Sequence, residues 1–325
     1  MNKTMISILR VLDAKHGKVT GSREIARQLM TYGIELTERT VRYHLRILDE
    51  KGFTKVFGKE GRKITQEGRE ELSQSLVSEQ VGFVINKIET LAYLSDFDLR
   101  TRKGKIILNV SFFPENAFVP ALKVMKDTFS SAYHMSDRVV TAKGGCFIGD
   151  VLVPEGQIGF GTVCSVTING ILLKAGVPVT SRFGGVLQVE GGEPSRFVAL
   201  INYEGTSLDP LEIFIKSSMT DVRSAVTNNS GKILASFREI PVVCLERARE
   251  LKLVMEGEGL GGILAIGNPN QKLLEMPVGT DKAGIVVVGG LNPIAAVEEA
   301  GIPTTSRAMS TLCDYSELAR FSELL

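Results

Sequence analysis

The sequence is poor in the residues that build metal sites and disulfide frameworks. Its 325 residues include four cysteines and three histidines. Cys146, Cys164, Cys244 and Cys313 lie far apart, without C-x-x-C spacing or a nearby histidine to complete a zinc site, so no metal and no disulfide is expected. No apolar run approaches the ~20 residues that cross a bilayer. The opening MNKTMISILR lacks the apolar core and small-residue cleavage site of a signal peptide, so a cytoplasmic protein without a membrane partner is expected. The glycine-rich pieces KGG (143–145), FGG (183–185) and GGLNP (289–293) fit neither a P-loop nor a dinucleotide fingerprint, which argues against a nucleotide cofactor.

Catalytic groups are equally sparse. Beyond residue 100 the only histidine is His134, and Cys164 has no basic partner nearby in sequence, so no catalytic residue is assigned and a non-enzyme is expected. Cys164 sits in an apolar run and reads first as small buried packing.

What remains is ordinary globular composition, 43% hydrophobic and 23% charged, in a length that suits two domains. The net charge of +1 is unevenly spread. Residues 1–73 hold 15 Lys and Arg against 10 Asp and Glu, and the remainder holds 23 against 27. A basic module joined to a mildly acidic one places a polyanion partner on the first alone.

That module reads as three helices and a hairpin. Met5, Ile8, Leu9 and Leu12 recur at helical spacing between Lys3 and Ala14. Ser22 is the expected N-cap of SREIARQLMTYG, with Ile25, Ala26 and Leu29 buried and Gly33 as the stop. Thr37 is the expected cap of TERTVRYHLRILDEKG, with Val41, Leu45 and Leu48 turned inward and Gly52 ending the run. The outer face of this third helix carries Arg39, Thr40, Arg42, Tyr43 and Arg46, a spacing that reaches base edges and phosphates from a major groove. A lone helix of this kind equally fits a solvated charged face. FTKVFGKEGRKIT then alternates on both sides of a GKEG turn, a hairpin bearing Lys59, Arg62 and Lys63. Three helices with a basic hairpin make a winged helix, whose wing cations would supply affinity while helix three supplies sequence choice. Modules of this size commonly bind double-stranded DNA as homodimers on paired half-sites. An apolar stripe through Leu72, Leu76, Val84, Ile88 and Leu91 reads as a connecting helix that also helps dimerisation.

Beyond about residue 100 the chain turns to short β-branched runs, KIILNVSFF, RVVTAKGG, IGFGTVCSVTI, FVALINYEG and LEIFIK, as in a mixed α/β domain. It also nearly repeats itself. AGVPVTSR (175–182) returns as AGIPTTSR (300–307), six matches in eight at a shift of 125 residues. Each copy follows a glycine-containing apolar strand and a short helix, GILLKAG or IAAVEEAG, that ends at a glycine. A duplicated β-α-β unit with a cleft or a shared sheet between its halves is expected, although A-G-hydrophobic-P is also a common way to leave a helix. The shared T-S-R sets Arg182 and Arg307 in equivalent places, and a guanidinium among hydroxyls and glycine amides is how proteins hold a carboxylate.

The fold class is therefore α+β: an N-terminal winged helix-turn-helix (1–75), a helical linker (76–100) and a mixed α/β effector domain (101–325), with quasi-repeats of about 101–220 and 221–325. The winged helix, the segments VGFVINKIETLAYLSDFD and GKIILNVSFF, and the run GTVCSVTINGILLKAGVPVTSRFGGVLQVEGG together resemble the NrpR family of archaeal nitrogen-regulatory repressors over almost the whole chain. The resemblance implies a repressor that binds paired operator half-sites at nitrogen-assimilation genes and is released by 2-oxoglutarate. One regulatory domain marks the single-domain form, some members of which work beside a second subunit of the family. A small dicarboxylate needs one or two cations and several amide or hydroxyl donors. On that chemistry Thr162, Cys164, Ser181, Arg182, Gly184 and Gly185 are the candidate lining, with Arg307 as quasi-equivalent. Two other readings stay open: a DNA-tethered enzyme, and a protein-interaction module that recruits a co-repressor without any metabolite.

Overall fold

In a computed structural model, the first apolar stripe forms α1 (Lys3–Asp13), which buries Met5, Ile8, Leu9 and Leu12. The structure describes residues 3–15, 18–31, 33–58, 60–75 and 83–325. These fall into two compact units, Met1–Val81 and Gly82–Leu325.

The first unit follows the apolar periodicity closely. α2 (Ser22–Met30) adds Ile25, Ala26 and Leu29 to the cluster begun by α1, and α3 (Glu38–Glu50) adds Val41, Leu45 and Leu48. Thr37 caps α3 as expected, its Oγ1 accepting from the Thr40 N–H at 3.2 Å. Gly33 (φ +68°) and Gly52 (φ +75°) take the left-handed conformation that ends both helices. The expected Ser22 cap is one residue off. Gly21 is the N-cap of α2, and Ser22 opens the helix with its Oγ donating to Glu38 Oε1 at 3.0 Å. β1 (Thr54–Phe57) and β2 (Gly61–Ile64) form the antiparallel hairpin, and Thr20 adds a bridge to Arg62. Gly61 (φ +137°) permits that bridge, because a Cβ there would lie 2.3 Å from the Thr20 carbonyl oxygen. α4 (Gln66–Ser75) follows and places Leu72 in the same core.

The second unit begins with α5 (Phe83–Leu94). Expected as part of a linker over 76–100, this helix instead packs against α7 (Val166–Lys174), with Val84, Ile88 and Ala92 buried in a cluster shared with Ile107 and Cys164. Leu76 lies outside the described residues. The chain continues through β3 (Lys105–Pro114), α6 (Glu115–Phe129), β4 (Arg138–Lys143) and a small hairpin of β5 (Phe147–Ile148) and β6 (Val151–Leu152). β7 (Gln157–Val163) leads into α7 and then β8 (Thr180–Glu190). β9 (Glu193–Asn202), α8 (Pro210–Lys216) and α9 (Val222–Asn228) separate the halves. The second half holds β10 (Gly231–Pro241), α10 (Leu245–Gly257), β11 (Ile263–Ile266), β12 (Lys282–Val288), α11 (Asn292–Glu299), β13 (Thr305–Asp314) and β14 (Ala319–Arg320).

One expected strand is helical and another is so only at its end. LEIFIK is α8, because Asp209 accepts from the Leu211 and Glu212 N–H groups at 2.9 and 3.3 Å and Pro210 stands at the first helical position. In IGFGTVCSVTI the strand stops at Val163 and Val166 already starts α7.

The repeat is real and its halves are intertwined. A shift of 125 residues lays β7 on β12, α7 on α11 and β8 on β13. The two five-stranded sheets run in the order β13-β3-β7-β4-β14 and β11-β12-β10-β8-β9, with every pair antiparallel. Each half thus lends two strands to the other half's sheet: β13 pairs with β3 and β14 with β4, while β8 pairs with β10 and carries β9 at the edge. The shared-sheet form of the duplication is the one built. One apolar core, including Phe113, Phe160, Phe237 and Val286, serves both sheets. Separation of the halves would expose it.

Candidate nucleic-acid interface and effector site

On the first unit, Arg39, Arg42, Tyr43 and Arg46 are exposed on α3 and Thr40 is half-buried. Arg42 Nη2 lies 3.1 Å from Glu38 Oε1 and Arg46 Nε 3.6 Å from Glu50 Oε1. Such exposed i,i+4 pairs are weak and easily exchanged for a phosphate. Tyr43 stands edge-on to His44, ring centroids 5.4 Å apart. Lys63 Nζ lies 5.1 Å from the centre of the Phe57 ring. Arg62, expected as a wing cation, is a staple instead. Its Nε donates to Asp49 Oδ2 at 2.8 Å, and the Thr54 hydroxyl donates to Asp49 Oδ1 at 2.6 Å. Both charged side chains are only about one-fifth exposed, so the pair fastens the hairpin to α3. Lys59 lies outside the described residues.

In the second unit, two strand-to-helix turns meet where the halves join. The Cys164 N–H donates to the Ile107 carbonyl at 2.8 Å, and the Gly289 N–H donates to the Leu234 carbonyl at 2.7 Å. Thr162 Oγ1 bridges the halves by donating to the Gly290 carbonyl at 2.9 Å. A Cβ on Gly290 would lie 2.3 Å from the Val163 carbonyl oxygen, so the approach requires glycine. Burial pushes the Cys164 thiol up to about 11, which keeps it neutral.

Beside this junction lies a group that sequence reading overlooked. Arg238 on β10 is 2% exposed. Its Nη1 donates to the Ser165 carbonyl at 3.0 Å and to Asn169 Oδ1 at 2.5 Å. Its Nη2 donates to Ser165 Oγ at 3.0 Å and Ser236 Oγ at 3.2 Å. Nε has no hydrogen-bond partner among the described residues. Asn169 Nδ2 in turn donates to Ser181 Oγ at 3.0 Å. Burial lowers the Arg238 pKa to about 10, so the guanidinium keeps its charge at neutral pH. A charge inside the apolar run ILASFREI was the available signal.

The structure divides the candidate ligand residues. Ser181 touches the Arg238 cluster through Asn169, and Thr162 and Cys164 belong to the adjoining turn. Arg182 and Arg307 stand apart, each on an exchanged strand beside a register irregularity. Arg182, 40% exposed, lies 3.8 Å from Glu239 Oε2 and 5.7 Å from the Phe183 ring centre. Arg307 lies 5.7 Å from the centre of the Phe112 ring, which belongs to the neighbouring strand β3. Gly184 and Gly185 answer to packing: a Cβ would meet Pro210 Cβ at 2.7 Å in the first case and the Ala199 carbonyl at 2.6 Å in the second. A cavity of about 270 Å³ opens between α5 and α7, with Ile88, Glu89, Asn169, Thr180, Ser181 and Glu204 among its walls.

The model of the NrpR regulatory domains NRD1 and 2 matches residues 81–320. This chain belongs to the NrpR family. Its NrpR regulatory region is preceded by a match of residues 6–72 to the ribonuclease R winged-helix domain. The global nitrogen regulator NrpRI of Methanosarcina mazei is 39% identical over 98% of both chains. The global nitrogen regulators NrpR of Methanococcus maripaludis and Methanocaldococcus jannaschii are each 31% identical over 97% and 100% of this chain, which spans 55% of their length. A crystal structure of a nitrogen repressor-like protein from Methanococcus jannaschii matches 73% of this chain and 98% of its own, with a TM-score of 0.63 and 28% identity. Its relatives bear the names of regulators, and no described helix is long and apolar enough to cross a membrane. No cluster of metal-ligating side chains occurs among the described residues.

Proposed function

We propose that this NrpR-family chain is a transcriptional repressor of nitrogen-assimilation genes that is released from its operator by 2-oxoglutarate. The observation that carries the DNA-binding half is the exposed face of α3, where Arg39, Arg42, Tyr43 and Arg46 stand clear of a core held by Val41, Leu45 and Leu48. One such module gives modest affinity, so two copies bind paired half-sites about 34 Å apart, one turn of the duplex. A second family subunit would meet the same geometry. The effector half rests on family membership and on the polar residues gathered where the two repeats join, including Thr162, Cys164 and Ser181. Arg182 and Arg307 remain proposed contacts at positions equivalent under the repeat, with the Gly184 and Gly185 backbone beside Arg182.

Release requires that 2-oxoglutarate bind one arrangement of the protein better than the DNA-competent one. A mobility-shift titration on operator DNA tests this, with 2-oxoglutarate added to millimolar levels. Operator affinity is expected to fall at least tenfold. Unchanged affinity defeats the release mechanism and leaves DNA binding intact.

A second reading makes the C-terminal unit a platform for a partner protein without any metabolite. Val243 at 93% exposure and Leu253 at 69% favour it, since each is a large apolar side chain open to a partner. Calorimetry that shows no heat for any keto acid would select this reading.

A further inference from the structure

The two halves of the regulatory unit are alike in strand order and unlike in charge at one position. Ser306 and Ser181 are equivalent under the 125-residue shift, and their ladder partners are Ser111 and Arg238. In one half the Ser111 and Ser306 hydroxyls satisfy each other at 2.9 Å. In the other, the serine of β10 is replaced by a buried guanidinium that neighbours only neutral acceptors. No carboxylate lies within ion-pair distance of Arg238 among the described residues. A buried cation without a counter-ion is destabilising by itself, and a ligand anion relieves it.

Resting on the effector reading above, we propose that Arg238 is the anchor for one carboxylate of a small dicarboxylate, reached from the cavity beneath α5 when the Asn169 side chain swings aside. Asn169 already holds the place of that carboxylate. Its Oδ1 accepts from Arg238 Nη1 and its Nδ2 donates to Ser181 Oγ. A carboxylate in the same place accepts from Nη1 with one oxygen, while the Ser181 hydroxyl turns to donate to the other. Asn169 and Ser181 both face the cavity, which is large enough for a molecule of this class. The exposed Glu89 and Glu204 stand at its mouth, so they repel the second carboxylate more than the one at Arg238. Because only one half carries the cation, each chain has one such site.

The cavity is bounded by the first helix of the second unit. Its outer wall is α5, with Ile85, Ile88 and Glu89. Only seven residues of sequence separate α5 from the end of α4.

The decisive variant is Asn169→Asp in the full chain, which supplies Arg238 with an internal carboxylate. Thermal unfolding and calorimetry, with 2-oxoglutarate and succinate as probes, read the result. The variant is expected to melt above the wild type and to lose at least tenfold in affinity for both probes, and its operator binding should no longer respond to 2-oxoglutarate. Glu89→Gln should tighten both probes severalfold. An Asn169→Asp chain that melts at or above the wild type yet binds 2-oxoglutarate within twofold overturns the anchor and leaves the effector reading standing. A wild type that binds succinate but not 2-oxoglutarate keeps the anchor and overturns that reading. Failure of the wild type to respond to either probe overturns the anchor.

Discussion

Thr167 and Asn292 do the same work in the two halves of the regulatory unit, 125 residues apart. Thr167 Oγ1 lies 3.3 Å from both the N–H and the carbonyl of Ile107. The Asn292 side chain takes the Leu234 N–H at 2.8 Å and donates to the Leu234 carbonyl at 3.2 Å. Each side chain stands on the first turn of a helix and closes the backbone of the first strand of its own half. Asn292 also donates to the Tyr133 carbonyl at 3.1 Å, so it ties the second half to the first.

That extra reach makes the two positions unequal on mutation. Asn292→Ala removes the side chain that bonds the Leu234 N–H and the Tyr133 carbonyl and leaves the Leu234 carbonyl with the Gly289 N–H alone, and is expected to destabilise the unit by about 2–4 kcal/mol. Thr167→Ala removes one hydroxyl and is expected to cost about 1–2 kcal/mol. Urea unfolding of both variants measures the difference, and equal losses would contradict the bridging role of Asn292.

For the winged helix, Arg42→Ala and Arg46→Ala should each weaken operator binding roughly tenfold and flatten base preference, a loss of about 1–3 kcal/mol. Lys63→Ala should weaken all duplexes alike and lower the salt slope by about one. Arg62→Met should behave differently, because its Nε bond to Asp49 holds the hairpin. A drop in melting temperature of the first unit, along with any loss of DNA affinity, is expected, from a charged hydrogen bond worth about 1.5–3 kcal/mol. Fluorescence anisotropy across salt concentrations, paired with thermal melts, separates these cases.

Asp209 sets a pH dependence. The residue as a whole is half-buried, yet its carboxyl is enclosed, and burial together with nearby Glu212 pushes its pKa up to about 7. The folded chain therefore holds this proton more tightly than the unfolded chain, whose value is near 4. The contribution to stability is fully present below about pH 4 and is lost as pH rises to about 7. Asp209→Asn keeps an acceptor for the α8 cap and removes the charge. It should stabilise the unit by roughly 2 kcal/mol at pH 8, an advantage that fades towards pH 4. Melts at both pH values would expose a flat difference, which this account forbids.

Thiol labelling follows from burial. Cys146 is exposed, whereas Cys164 and Cys313 are buried and burial pushes both thiols up to about 11. Maleimide should modify Cys146 under native conditions and spare the other two until the chain unfolds. Rapid labelling of Cys164 in the folded state would count against the packed junction.

Local patterns alone were enough for the first unit. Met5, Ile8 and Leu9, Thr37 as a cap, and Gly33 and Gly52 as stops act within a few residues of themselves, so their roles survive in one dimension. The 125-residue repeat was equally legible, because equivalent turns need equivalent residues. LEIFIK misled because its β-branched and aromatic content favours a strand, while the Asp209 cap that decides for a helix lies just outside the run.

What the sequence determined by itself was a basic three-helix module with a hairpin and a duplicated unit behind it. Only the tertiary structure decided how the copies join and where the charge is hidden. Strand exchange depends on pairings such as Arg238 with Ser181, and a ladder partner 57 residues away leaves no local trace. For the same reason Arg182 and Arg307 stood out in the repeated motif, while Arg238, which stands where the other half has Ser111, became visible only once the sheets were assembled.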